Sequence, residues 1–412
     1  MSKLEKINVG VIGLGSRGYG LLENVFVPMW EQGLIEVVSV CDNYDDRATA
    51  SADYIEKMTG KRPQCTTNWE EVVANEAVNA VFVLTSWEDH IKICLASMKA
   101  GKPVGVEVGG AYSLQDCFDL VKCYEETGVH CMMLENCCYG RRELMALNMA
   151  RKGLFGSVVH CSGGYMHDLR EEIINGDVNR HYRQRNYLTR NCENYPTHEL
   201  GPIMSVFNIN NGNRFTSLVS VASCAKGLNE FAKKHRGEDH FLANCKFAQG
   251  DIVTTVITCA DGRTATLTLD TTLPRIYSRG FTVRGTKGMY CADGDYVHLD
   301  GENEWALLSD KIGNAENYCD EYEHPIWQDY RKDPIGAHDG MDWLVYNAFV
   351  ESVREAITPP IDTYDTATLM CITSLSEISV ANNGAPVDIP DFTNGKWQEK
   401  RAVEKSSYSL RN

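Results

Sequence analysis

One motif near the N-terminus constrains this chain most. Residues 7–12, Ile-Asn-Val-Gly-Val-Ile, read as a short buried strand, and Gly13-Leu14-Gly15-Ser16-Arg17-Gly18 follows at once. Residues 19–30 then read as a helix with Leu21, Leu22, Val25 and Phe26 on one side. A G-x-G-x-x-G loop between strand and helix is built to hold a dinucleotide. Gly13 permits the tight turn, Gly15 lets a pyrophosphate approach the backbone, and Gly18 permits close helix–strand packing. Free N–H groups at the helix start supply partial positive charge for the phosphates.

The next strand, 35–41, ends in Asp42, 24 residues after Gly18. A carboxylate there suits the adenosine ribose hydroxyls and repels a 2′-phosphate, so NAD is expected over NADP, although Arg47 lies close by. Strands at 80–84, 104–108 and 129–134 alternate with helices at 48–58, one opened by the 85–90 segment and running to about 100, and 114–127. Such alternation makes a parallel sheet covered on both faces, with ligands at the carboxyl ends of its strands. Asp42, the 85–90 segment, Glu107 and Glu135-Asn136 all fall at such ends. Residues 1–136 are therefore expected to form a Rossmann NAD-binding domain.

Residues 137–412 change character. After a helix at 141–152 come β-prone runs at 158–165, 218–224, 252–259 and 264–271, and 264–269 alternates polar with apolar. That pattern predicts an α+β domain with a large, open, mostly antiparallel sheet. It is assigned substrate binding and homo-oligomerisation through the sheet. A helix at about 364–384 is expected to pack back near the first domain.

Composition narrows the function classes. Asp and Glu number 56 against 40 Lys and Arg, a formal net charge of −16, which argues against a nucleic-acid binder and a polybasic membrane-surface protein. No apolar run approaches the ~18 residues needed to span a bilayer, and the first ten residues carry no apolar signal core. A cytoplasmic enzyme is the expectation. The sixteen cysteines include no C-x-x-C pair and read as free thiols. No zinc spacing occurs, and no metal is expected.

A nucleotide-binding domain followed by an open sheet resembles the glucose–fructose oxidoreductase and inositol dehydrogenase superfamily. The Gly-rich loop, the His90 region, Gly101-Lys102-Pro103-Val104, Glu107 and the 375–390 tail carry that resemblance. Its usual Glu-Lys-Pro motif is here Glu107-Val108-Gly109, without the catalytic Lys. Glu135-Asn136-Cys137-Cys138-Tyr139, Tyr165-Met166-His167-Asp168, Asn194-Tyr195-Pro196-Thr197-His198 and Pro274-Arg275-Ile276-Tyr277-Ser278-Arg279 are more specific. They resemble glycoside hydrolase family 109, the NAD-dependent glycosidases typified by α-N-acetylgalactosaminidase, which also lacks the Lys.

The resemblance implies a carbohydrate-metabolism enzyme that hydrolyses terminal α-N-acetylgalactosaminyl or related hexosyl groups. Carbon 3 is transiently oxidised, the glycosidic group is eliminated, water adds, and carbon 3 is reduced again. A sugar or polyol dehydrogenase is the alternative. By resemblance Gly13, Gly15, Ser16, Arg17, Gly18, Asp42, Trp87, His90, Glu107, Val108 and Asn136 meet NAD. Tyr165, Arg183, Tyr195, Pro196, Thr197, His198 and Tyr277 meet the sugar. His198 is expected as the main acid/base, with Tyr195 or His167 as partner, because imidazole works near neutral pH and a phenol works beside a positive charge. Arg275, Arg279 and Arg284 are expected to supply that charge to Tyr277. Glu135 reads equally as an anchor for the Asn136 turn, and Asp339 as a cap for the helix that follows.

Overall fold

A computed structural model describes residues 3, 6–402 and 405–411. The chain divides into two compact units. The first comprises residues 1–140, 329–368 and 401–412, and the second residues 141–328 and 369–400. The sequence boundary at 136/137 thus falls close to the first crossing, but a contiguous 137–412 domain is not what forms. The chain returns because the first sheet has apolar surface left to cover, and residues 329–368 cover it.

In the first unit, β1 (Asn8–Ile12), β2 (Glu36–Cys41), β3 (Gln64–Thr66), β4 (Ala80–Val83), β5 (Val104–Val106) and β6 (Cys131–Met133) form one parallel sheet in the order 3-2-1-4-5-6. Strands β4, β5 and β6 are buried on both faces, which is why they read as unbroken apolar runs. The helical run after β1 starts at Ser16, earlier than periodicity suggests, and passes through a π-helical segment at Leu22–Phe26 before ending at Glu31. Phe26 stacks on Phe82 at 4.9 Å, and Tyr346 and Phe349 of the returning helix Met341–Glu355 lie 5.2 and 5.1 Å from the Phe82 ring. This aromatic cluster pins the returning segment. The helix Thr363–Ala381 begins in this unit, where Thr363 and Thr366 hydroxyls accept from the Cys131 and Met133 amides of β6.

In the second unit, β7 (Val158–Met166), β8 (Phe215–Ala222), β9 (Ile252–Cys259), β10 (Thr264–Asp270), β11 (Thr282–Gly285), β12 (Gly288–Cys291), β13 (Tyr296–Leu299) and β14 (Val387–Asp388) form a sheet ordered 13-12-11-7-10-9-8-14. Every pairing is antiparallel except β7 with β10. Ala265, Leu267 and Leu269 of β10 face a covered side, and the threonines between them face the open one. The helix Thr197–Phe207 packs on the covered side against β7. Among the described residues, no helix is long and apolar enough to cross a membrane.

Candidate active site

The strand ends of the first unit build a dinucleotide cradle. Gly13 has φ of +100°, and its N–H donates to the Cys41 carbonyl at 2.8 Å. A Cβ on Gly13 would lie 2.5 Å from the Leu84 carbonyl oxygen, and one on Gly18 would lie 2.1 Å from that of Gly13. Above Gly15 the space is open, with Arg47 Nη1 the one atom within 4 Å of its ideal Cβ. A phosphate can therefore reach the backbone there. Asp42 accepts from the Leu14 amide at 2.7 Å and the Tyr44 amide at 2.9 Å, one bond to each carboxylate oxygen. Both oxygens keep lone pairs for ribose hydroxyls, so these residues fit NAD.

Ser16 opens the helix, and Arg17 follows with its guanidinium between two carboxylates. Arg17 Nε and Nη2 donate to Glu107 Oε1 at 3.2 and 3.1 Å, and both Nη atoms donate to Asp342. Trp87 and His90 share the helix Trp87–Lys99 and are nearly fully buried. A Cβ at Gly109 would lie 2.1 Å from the Trp87 indole nitrogen, so the space over Glu107-Val108-Gly109 belongs to that ring. His90 Nε2 lies 2.9 Å from the Thr85 carbonyl and donates to it, while Nδ1 has no hydrogen-bond partner among the described residues and burial pushes the imidazole below its ordinary value. His90 thus braces the loop after β4. Val108 is buried beside Glu107, at the end of a strand that closes at Val106. Asn136 donates to Asp342 at 2.8 Å, and Glu135 accepts from the Cys137 amide at 3.1 Å, the anchoring role that its position suggests.

The second unit gathers Tyr165, His167, Arg183, Tyr195, His198 and Tyr277 into one cluster. Tyr165 comes from β7, and Tyr195 and His198 flank the start of the helix Thr197–Phe207. The Tyr165 and Tyr195 rings stack at 4.2 Å, and the His198 ring lies 5.3 and 4.8 Å from them. Tyr165 Oη and His167 Nδ1 hydrogen-bond at 3.1 Å, with the direction set by the imidazole tautomer. Tyr277 edges against His167 at 5.1 Å and is half exposed. The Arg183 guanidinium lies 5.3 Å from the Tyr195 ring centre and 6.0 Å from that of Tyr165. Arg183 pairs with Glu172, a partner that the sequence did not announce. Burial, and then the Arg183 charge, hold His167 below its ordinary pKa. Burial would raise the Glu172 carboxyl, but Arg183 outweighs it and holds Glu172 low. The cluster therefore offers a neutral imidazole hydrogen-bonded to a phenol, a second imidazole, and one fixed cation.

Two expected members are placed differently. Pro196 is the N-cap residue of the His198 helix, and Thr197 is fully buried behind it, so neither side chain joins the ring cluster. Two of the three arginines expected to act on Tyr277 are committed elsewhere. Arg275 pairs with Asp270 at 2.6 Å, and Arg279 joins Glu143 and Glu199. Carboxylates within salt-bridge reach neutralise those two charges, and Arg284 lies on β11 opposite His160, so three arginines close in sequence do not make one cationic pocket. The helix Met341–Glu355 is capped by Gly340 rather than Asp339, whose own φ of +53° places it outside the helix. Asp342 was read only as part of the 338–342 helix start that could line the pocket, and Glu199 and Tyr346 went unread, since no motif marks a side chain whose partner is remote in sequence.

Residues 139–399 match the family model described as glycosyl hydrolase 109, C-terminal domain. Residues 7–135 match the NAD-binding Rossmann fold of the oxidoreductase family. An α-N-acetylgalactosaminidase of Tannerella forsythia is 37% identical over 95% of this chain and 87% of its own length. One from Shewanella oneidensis is 33% identical over 97% of this chain and 88% of its own. Among solved structures, an inositol dehydrogenase homologue from Azotobacter vinelandii, complexed with NADH and myo-inositol, covers 94% of this chain and 98% of its own. Its TM-score is 0.67 at 14% identity, which shows a shared fold.

Proposed function

Because the chain belongs to glycosyl hydrolase family 109 and is an NAD-dependent glycosidase, we propose that it releases terminal α-N-acetylgalactosaminyl groups by an oxidation–elimination cycle. The observation that carries this reading is the Tyr165–His167–Tyr195–His198–Tyr277 cluster with Arg183 against it. A two-carboxylate glycosidase needs a facing pair of acids. This cluster instead supplies imidazoles and phenols as proton carriers, and its Glu172 carboxylate is held by Arg183.

Bound NAD+ supplies a hydride acceptor for carbon 3 and afterwards the donor that restores it. The ketone formed at carbon 3 acidifies the proton on carbon 2. His198 takes that proton, and the carbon 1–oxygen bond breaks as the carbon 1–carbon 2 double bond forms. The Tyr165–His167 pair delivers a proton to the departing oxygen. Water then adds its oxygen to carbon 1 and gives up a proton that restores the Tyr165–His167 pair, while His198 returns a proton to carbon 2. The net change is hydrolysis with one water consumed and no net oxidation.

The test is proton NMR of p-nitrophenyl α-N-acetylgalactosaminide with the protein and NAD+ in heavy water. Nitrophenol release with deuterium at carbon 2 and no net NADH is expected. Stoichiometric NADH with an intact glycosidic bond would make this a sugar dehydrogenase instead. Val108 at the position of the usual Lys speaks against that outcome. A His198→Ala variant is expected to bind NAD normally and to lose about 10²–10⁴ of turnover.

The open face of the second sheet supports a second proposal, that two copies of the chain pair through it. Val256 of β9 sits beside Val219 of β8, and Val221 is about half exposed. Threonines at 254, 258, 266 and 268 surround them. Sedimentation of a dimer that Val256→Lys converts to monomer is the expected result.

A further inference from the structure

We infer that Asp342 positions the cofactor-facing residues and, with Glu107, gives the cofactor site a preference for NAD+ over NADH. The inference rests on NAD binding and not on the sugar chemistry proposed above.

Asp342 is the second residue of the helix Met341–Glu355 and is 1% exposed. Its Oδ1 accepts from Arg17 Nη2 at 2.9 Å and Asn136 Nδ2 at 2.8 Å. Its Oδ2 accepts from Arg17 Nη1 and from His338 Nδ1, both at 2.8 Å. These four bonds fill the acceptor sites of a carboxylate. One turn further on, Tyr346 donates to Glu107 Oε1 at 3.0 Å. Residues four apart share a helix face. One face therefore holds Arg17 of the glycine loop, Asn136 beyond β6 and Glu107 beyond β5. None of these three can be aimed by its own short loop, and all three are at the carboxyl ends of the sheet, where a dinucleotide lies.

The same contacts set a charge. Two carboxylates meet one guanidinium, which leaves a formal excess of one negative charge. Burial would raise the Asp342 carboxyl, but hydrogen bonds from Arg17 and His338 outweigh it and hold it well below the usual range, so the charge is permanent. Asp42 at β2 marks the adenosine side of the sheet, and the cluster stands on the opposite, β5–β6 side. The nicotinamide end runs that way in a dinucleotide crossing the switch point between β1 and β4. The ring is cationic when oxidised and neutral when reduced. A buried negative excess on that side therefore favours the oxidised form. His338 is more than half exposed, so its side chain can be exchanged at the surface without disturbing the buried bonds to Asp342.

The test is calorimetric titration of the cofactor-stripped full chain with NAD+ and with NADH at pH 8. Asp342→Asn keeps the volume and removes the charge. It is expected to weaken NAD+ binding by about tenfold and NADH binding less, so that the preference for NAD+ falls at least about threefold. His338→Lys, a surface change that places a permanent cation against the same carboxylate, is expected to lower the preference in the same direction while leaving the fold unaltered. Unchanged affinities in both variants would overturn the inference. An equal fall for both cofactor forms would overturn it as well, because lost packing lowers both together. A His338→Lys protein with the parent preference would overturn the charge argument even if Asp342→Asn fails to fold. None of these readouts involves glycoside turnover, so failure here is distinct from failure of the proposed activity.

Discussion

Glu193 lies two residues before Tyr195 and is fully buried. Its backbone N–H donates to the Ser376 hydroxyl at 2.8 Å, which fixes the segment leading to His198. Burial pushes this carboxyl from 4.5 up to about 8, and only the Tyr195 amide pulls the other way. The folded-state pKa is raised, so the native chain holds a proton that the unfolded chain has released. Stability is then fully present below 4.5 and is lost as pH rises through about 8. At about 1.36 kcal/mol per pH unit, the loss above that range is on the order of 5 kcal/mol. Glu193→Gln places a neutral amide in the same volume and removes this dependence. Unfolding entropy of about 2.1 cal/mol/K per residue converts the gain into a Tm rise of roughly 5 °C if the chain unfolds as one. The assay is scanning calorimetry of parent and variant at pH 5, 7 and 9. Near-equal melting at pH 5 and a widening gap in favour of Gln at pH 9 are expected. Curves that stay parallel from pH 5 to 9 would refute the argument, because a carboxyl that ionises freely loses nothing.

Three further perturbations test the remaining contacts. In Gly163→Ala the new methyl would lie 2.6 Å from Glu199 Cβ and Cγ, in the helix that carries His198. A loss of about 1–3 kcal/mol in chemical denaturation is expected, with lower kcat and unchanged NAD affinity. Asp42→Ala strips the acceptors from the Leu14 and Tyr44 amides as well as the ribose, and calorimetry should show NAD affinity at least about tenfold weaker. Arg183→Gln removes a charge that holds His167 low and frees the Glu172 carboxylate, which favours imidazolium. The acid limb of the kcat/KM profile should move to higher pH, and the His167 ring proton should titrate higher by NMR.

The local elements were legible because each is written in a short stretch of chain. The helix Leu114–Thr127 and the strand Ile252–Cys259 match the sequence reading residue for residue, since a capping serine marks the one and a run of β-branched residues the other. Short or weakly patterned pieces were not legible. Strand β3 has three residues, and the helices between Arg170 and Thr189 are stabilised by tertiary contacts such as Arg183 with Glu172 rather than by their own periodicity. The structure brings together the rings that the sequence reading named, but Thr197 could not be told apart from its neighbours until the helix start turned it inward.

By itself, the sequence determined the dinucleotide loop, its acidic partner Asp42, the two sheet types and the set of candidate proton carriers. Each depends on residues within a few positions of one another, where backbone geometry dictates what meets what. Tertiary structure alone decided which charges are spent and which remain. Arg17 finds Asp342 across 325 positions and Asn136 finds it across 206, while Arg275 and Arg279 are neutralised by carboxylates from other elements. Charge pairing falls off with distance in space and is indifferent to distance along the chain, so only the folded chain reveals it.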